Sequence, residues 1–96
     1  MTLPTVLSAL ADPVRLAIVR KLYGATNGLC CNDAAPEGNL PKSTLSHHFR
    51  ILREAGLIHT EKHGLQHISR LRRTETNKKF PGLLKLVLSL SDKDDR

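Results

Sequence analysis

Ninety-six residues, 40% of them apolar and 25% charged, suit a single globular domain spanning 1–96 around a modest core. No apolar run nears the roughly 20 residues a bilayer span needs, and no secretory signal opens the chain, so a membrane partner is excluded and a cytoplasmic setting is expected. A net charge of +6 points either to a polyanionic partner or to a merely solvated basic surface, and the placement of the charge decides between them.

In chain order, Leu3, Val6, Leu7 and Leu10 mark a short amphipathic helix beginning near Pro4, too short to be stable alone. Asp12 reads as an N-cap and Pro13 as a first helical residue. Val14, Ala17, Ile18 and Leu22 then repeat at helical spacing to Tyr23, and Gly24 is expected to close the helix. Residues 25–39 carry Gly28, Pro36 and Gly38 and read mostly as loop. Within them Leu29-Cys30-Cys31 is an apolar island, and one helical turn capped by Asn32 is expected over 32–35.

Residues 41–55 form the central helix, started by Pro41 as its first helical residue and ended by Gly56. Leu45, His48, Phe49 and Leu52 make one stripe, suited to a core. Ser43, Ser46, His47 and Arg50 make a second stripe that offers hydroxyls, imidazole and guanidinium to an outside partner. Residues 57–71 read as a hairpin, with Lys62, His63, Gly64, Leu65 and Gln66 at its tip. In the returning strand His67 and Ser69 are expected outward and Ile68 and Leu71 inward. A turn or short helix over 74–79 follows. The last helix, 81–91, is apolar nearly all round, with Leu83, Leu84, Leu86, Val87, Leu88 and Leu90. So small a protein cannot cover every side of it, which suggests a subunit interface shared with the first helix. Leu3, Val6, Leu7, Leu10, Leu84, Val87 and Leu88 are the expected interface residues of a homodimer, and the tail from Ser91 to Arg96 is expected to fray.

The fold class is therefore mainly α with a small β-hairpin. Residues 1–39 balance Arg15, Arg20 and Lys21 against Asp12, Asp33 and Glu37. Residues 40–73 hold Lys42, Arg50, Arg53, Lys62, Arg70, Arg72 and Arg73 against Glu54 and Glu61, together with all five histidines. Such clustering is the footprint of a polyanion binder. Tyr23, Phe49 and Phe80 are the only aromatic residues, and Phe49 lies on the inner stripe, so no platform is left for stacking single-stranded bases. Double-stranded DNA is the better-matched partner.

Helix, helix, loop, central helix, hairpin and helix is the order of a winged helix-turn-helix. The segments LADPVRLAIVRKL and STLSHHFRILREAGLI, followed by a hairpin with a central glycine, resemble the ArsR family of winged-helix repressors over roughly Leu10 to Leu71. The resemblance implies dimerisation through the terminal helices and a central helix that enters the major groove of an inverted-repeat operator. It implies a wing on the adjacent backbone or minor groove, and repression lifted by a ligand, often a metal or a thiol-reactive signal. On the matching positions it carries over Lys42, Ser43, Thr44, Ser46, His47, His48 and Arg50 as the DNA-facing set, and Lys62, His63 and Gln66 as wing contacts. Ser43, Ser46 and His47 suit base edges, Lys42 and Arg50 phosphates or guanine. His48 divides between this role and helix packing. The chain departs from the family in having CNDAAPEGNLP where a regular positioning helix is usual, and adjacent Cys30-Cys31 where metal sensors often have Cys-X-Cys.

Cys30 and Cys31 are read as ordinary cysteines, as candidate redox or arsenic-type sensors, or as zinc ligands, in that order. Neighbouring side chains diverge in regular backbone, so one ion does not easily take both. His59, His63 and His67 are read as wing residues and not as a metal site, and no cofactor is expected. Ser46-His47-His48 resembles a triad only on paper, because adjacent helical positions diverge, and no phosphate-binding glycine loop is present, so the chain is read as non-catalytic. A winged-helix protein-interaction module and a thiol- or metal-buffering protein remain as rivals.

Overall fold

A computed structural model describes residues 1–94 of the chain. Helix α1 (Leu3–Leu10) opens where the Thr2 hydroxyl accepts from the Thr5 amide at 3.4 Å. Helix α2 (Pro13–Tyr23) opens where Asp12 Oδ1 accepts from the amides of Val14 and Arg15 at 2.8 and 3.1 Å, with Pro13 in the first turn. Gly24 closes α2 as expected, in a right-handed conformation, φ −83°. A left-handed residue comes four positions later, at Gly28, φ +89°, where the chain turns into a short strand.

That strand, β1 (Leu29–Cys30), leads into the single turn α3 (Cys31–Ala34), which starts one residue earlier than expected and has no side-chain cap. Helix α4 (Lys42–Glu54) follows, with Pro41 preceding it in extended backbone and not within its first turn. Strands β2 (Ile58–His63) and β3 (Gln66–Leu71) form the hairpin. Gly64, φ +64°, takes the first central position of a two-residue turn and Leu65 the second, the order a type II′ turn requires. Helix α5 (Arg73–Lys79) and helix α6 (Leu83–Asp94) complete the chain. Helix α6 begins two residues after Pro81 and continues through Ser91, where Arg20 Nε meets Asp92 Oδ1 at 2.9 Å. The expectation of fraying for Asp95 and Arg96 falls outside the described residues.

The sheet has three antiparallel strands in the order β1-β3-β2, not the two of a simple hairpin. Leu29 pairs with Ser69 and Cys30 with Ile68. A Cβ on Gly28 would lie 2.5 Å from Arg70 Cγ and 2.8 Å from the Ser69 carbonyl oxygen, so only glycine lets the loop come close enough to β3 for this pairing. The β2–β3 register sets Ile58 opposite Leu71, Thr60 opposite Ser69 and Lys62 opposite His67. Cross-strand partners share a face, so these pairs look toward the helices and Ile68 looks away. The expected phase for His67, Ile68 and Ser69 is thereby reversed, while Leu71 is inward as expected. Ser69 is fully buried because its hydroxyl is satisfied there: its Oγ lies 2.8 Å from Thr60 Oγ1 and 3.7 Å from Cys31 Sγ.

Val6, Ile18, Leu22, Leu52, Leu57 and Leu84 centre the core. Four of the residues expected at a subunit interface, Val6, Leu10, Leu84 and Leu88, lie in this core and fasten α1 and α6 to the rest of the same chain. Val87 is half-buried, while Leu3 and Leu7 remain exposed, as do Leu86 (57%) and Leu90 (50%) on α6.

One guanidinium ties three elements together. Arg15 Nε donates to the Ala9 carbonyl at 2.7 Å and Nη2 to the Ser8 carbonyl at 3.4 Å, at the C-terminal end of α1. Its Nη1 lies 3.0 Å from His48 Nδ1 on α4. A guanidinium only donates, so Nδ1 accepts and the imidazole proton sits on Nε2. His48 is therefore a buried packing residue held from behind, and the DNA-facing role carried to it is withdrawn. Partial burial pulls the Asp12 pKa up, but the amides of Arg15 and Val14 and the Arg15 charge outweigh it and hold the carboxyl below its ordinary 3.8. Asp12→Ala is expected to cost about 1 kcal/mol of stability at neutral pH through the lost cap. Asp12→Asn keeps a capping oxygen without the charge. The wild-type advantage over Asp12→Asn should be full above pH 3.8 and disappear as pH falls through the depressed folded-state value. Urea unfolding of both proteins from neutral to acid pH measures it, and parallel profiles would show that the charge contributes nothing.

Candidate nucleic-acid interface

The inner stripe of α4 sets the direction of everything on its other side. His48, Phe49 and Leu52 are buried and Leu45 half-buried, which leaves Ser43, Ser46, His47 and Arg50 exposed along the opposite flank. Lys42 is exposed at the first turn and Thr44 is half-buried at the stripe's edge. Arg50 Nη2 lies 3.3 Å from His47 Nδ1, a separation of one helical turn, so the guanidinium and the imidazole present a joined polar surface. Among the described residues no carboxylate pairs with Lys42, Arg50 or Arg53. Arg53, which the sequence reading did not assign to a site, extends the basic run one turn beyond Arg50.

The wing presents two different faces. Lys62 and His67 are paired across the strands on the face toward α4. His59, Glu61 and His63 alternate onto the other face. There Glu61 Oε1 accepts from Arg70 Nη2 at 2.7 Å and lies 3.3 Å from His59 Nε2, while Oε2 lies 3.2 Å from His63 Nε2. The His63 hydrogen bond, and after it the Arg70 charge, hold the Glu61 carboxyl below the ordinary carboxylate value. One face of the wing is thus internally neutralised and the other is not. At the tip Leu65 is 99% exposed between Gly64 and Gln66, and the sequence reading left it without a role. Leucine is not a turn former, so the preference for glycine and polar residues in such turns gave no reason to single it out.

The same alternation separates candidate metal ligands. His67 is on the opposite face from His59 and His63. Cys30 shares the outward face with Ile68, whereas the Cys31 thiol meets Ser69 on the inward one. Among the described residues no group of three histidine, cysteine or acidic side chains is arranged to hold a metal ion. The two cysteines do not fit a shared thiophilic ion.

Among the described residues no helix is long and apolar enough to cross a membrane. The model of a helix-turn-helix domain family matches residues 10–61, from the end of α1 through the first part of the wing. An uncharacterised helix-turn-helix transcriptional regulator of Bacillus subtilis, YceK, is 39% identical over 82 residues, covering 85% of this chain and 82% of its own length. The arsenical resistance operon repressor of Staphylococcus xylosus is 36% identical over 69 residues, covering 72% of this chain and 64% of its own. Among solved structures, HlyU from Vibrio cholerae superposes with a TM-score of 0.69 at 27% identity, covering 91% of this chain and 88% of that one. The matched region holds the α2–α4 unit whose outward flank has just been described, and the chain belongs to the ArsR family of winged helix-turn-helix transcriptional regulators, which are DNA-binding and not catalytic.

Proposed function

We propose that the protein is a homodimeric repressor that binds an inverted-repeat operator in duplex DNA and is released by a signal. The outward stripe of α4 carries this reading: hydroxyls and an imidazole for base edges beside cations that have no internal acid partner. Ser43, Ser46 and His47 read bases, Arg50 reads guanine or phosphate, Lys42 holds phosphate, and Thr44 supports the edge. Lys62, His63, Gln66 and the protruding Leu65 meet the adjacent groove and backbone. The dimer forms on Leu3, Leu7, Val87, Leu86 and Leu90, apolar side chains of α1 and α6 that the protomer leaves exposed or half-buried. Two α4 helices then reach successive major grooves about 34 Å apart.

The test begins with duplexes selected from a random pool. Arg50→Ala should lower affinity by about 1–3 kcal/mol, roughly five- to 150-fold, while Ser43→Ala and His47→Ala redistribute base preference at single positions. Wild-type behaviour in all three would place the DNA face elsewhere. For the dimer, Leu86→Asp with Leu90→Asp should give a monomer in sedimentation at micromolar concentration while circular dichroism is unchanged. A wild-type monomer would refute the assembly.

Glu61 supplies a prediction of opposite sign. Glu61→Gln removes the anion that engages Arg70, His59 and His63, so the wing becomes more cationic. Affinity should rise, and the slope of log affinity against log salt should steepen by about one contact's worth. An unchanged slope would mean that this face does not approach phosphate.

A further inference from the structure

A cleft of about 590 Å³ separates α4 from the inward face of the wing. One wall is apolar, made by Leu45 and Phe49. Cys31 and Thr60 also line it, and both side chains meet the Ser69 hydroxyl behind them, at 3.7 and 2.8 Å. Lys42 and Arg53 stand along the α4 rim, one before and one after Phe49, and His67 faces them from β3. Among the described residues no carboxylate lines it. The size falls in the range of pockets for small organic ligands, roughly 300–1,000 Å³.

The structure assigns this cleft to a small planar organic anion, an aromatic carboxylate or sulfonate, whose ring lies on Leu45 and Phe49 and whose charge is met by Lys42, Arg53 and His67. The chemistry follows from the lining. An apolar wall with no carboxylate disfavours a cation, and the Lys42 and Arg53 cations on the α4 rim, with an imidazole opposite, leave a neutral ligand with less to gain than an anion. Lys42 and Ser46 belong both to this lining and to the proposed DNA face, so the anion and the duplex exclude each other by occupying the same side chains. This regulatory consequence rests on the DNA-binding reading above. The site itself does not.

The probe is 1-anilinonaphthalene-8-sulfonate, with uncharged N-phenyl-1-naphthylamine as its counterpart. Alkylation of each cysteine by iodoacetamide is followed by mass spectrometry. Cys30, on the other face of the sheet, serves as the internal control, so probe bound at the exposed leucines of α1 and α6 does not register. At ten times its dissociation constant the sulfonate should slow Cys31 alkylation about tenfold and leave Cys30 unchanged. The uncharged analogue should protect far less, and Arg53→Gln with His67→Gln should remove the protection. In fluorescence anisotropy on a selected duplex, the same sulfonate concentration should raise the apparent Kd about tenfold. Equal alkylation of Cys31 with and without sulfonate would overturn the site, and equal protection by both probes would overturn its preference for an anion. Protection of Cys31 without loss of duplex affinity would overturn mutual exclusion. Protection in a protein that binds no duplex would support the site and refute the DNA reading instead.

Discussion

The orientation of α4 is the constraint from which the surface chemistry follows. A helix carries its outward residues wherever its inward residues dock, and here Phe49 and Leu52 dock into the common core with Leu57 and Leu84. His48 would add a polar group to that docked side at a cost of its own. The bond from Arg15 removes the cost and makes the site specific, because a leucine at 48 would leave one guanidinium arm without this acceptor. The other two arms end on carbonyls at the close of α1. One side chain of α2 thus links the first helix to the central one, although α2, β1 and α3 lie between them in the chain.

This attachment bears on how two copies would be spaced. The exposed leucines of α1 and α6 point away from a core that holds Val6, Leu10, Leu84 and Leu88. An interface built on the former is therefore backed by the latter, and the distance between two α4 helices is set by packed elements and not by flexible connections. Half-site spacing in DNA is a geometric quantity. A rigid path from interface to α4 is what such spacing needs.

Local patterns in the sequence foretold the parts of the fold that are made locally. The two stripes of 41–55, the Asp12 cap, the two strands about Gly64 and the apolar last helix all follow from helical or alternating spacing within a few residues. What escaped was made at a distance. Strand β1 is two residues long and exists only because Gly28 admits it to β3, some forty residues on. Ser69 looked like an outward residue because hydroxyls usually are. Its burial depends on Thr60 across the hairpin and Cys31 from another element. The terminal leucines could not be divided between core and interface by periodicity, since α6 is apolar on almost every side. For the outward stripe of α4 the sequence named the residues. The joining of His47 to Arg50, the retreat of His48 and the place of Arg53 at the cleft rim required coordinates.

The division of the wing bears on how release would work. A ligand that acts from a remote pocket must bind two conformations unequally, and it shifts their balance only by that difference. A chain of 96 residues with one continuous core has few packed units to arrange in two ways. Competition requires no second conformation. The cleft between α4 and the inward wing face holds unneutralised cations, while the outward face spends Arg70, His59 and His63 on Glu61. Positive charge is therefore concentrated where a phosphate backbone and a small anion would meet the same lysine. Because both ligands draw on that charge, their antagonism has to weaken at high salt, and a mechanism working through protein conformation carries no such requirement.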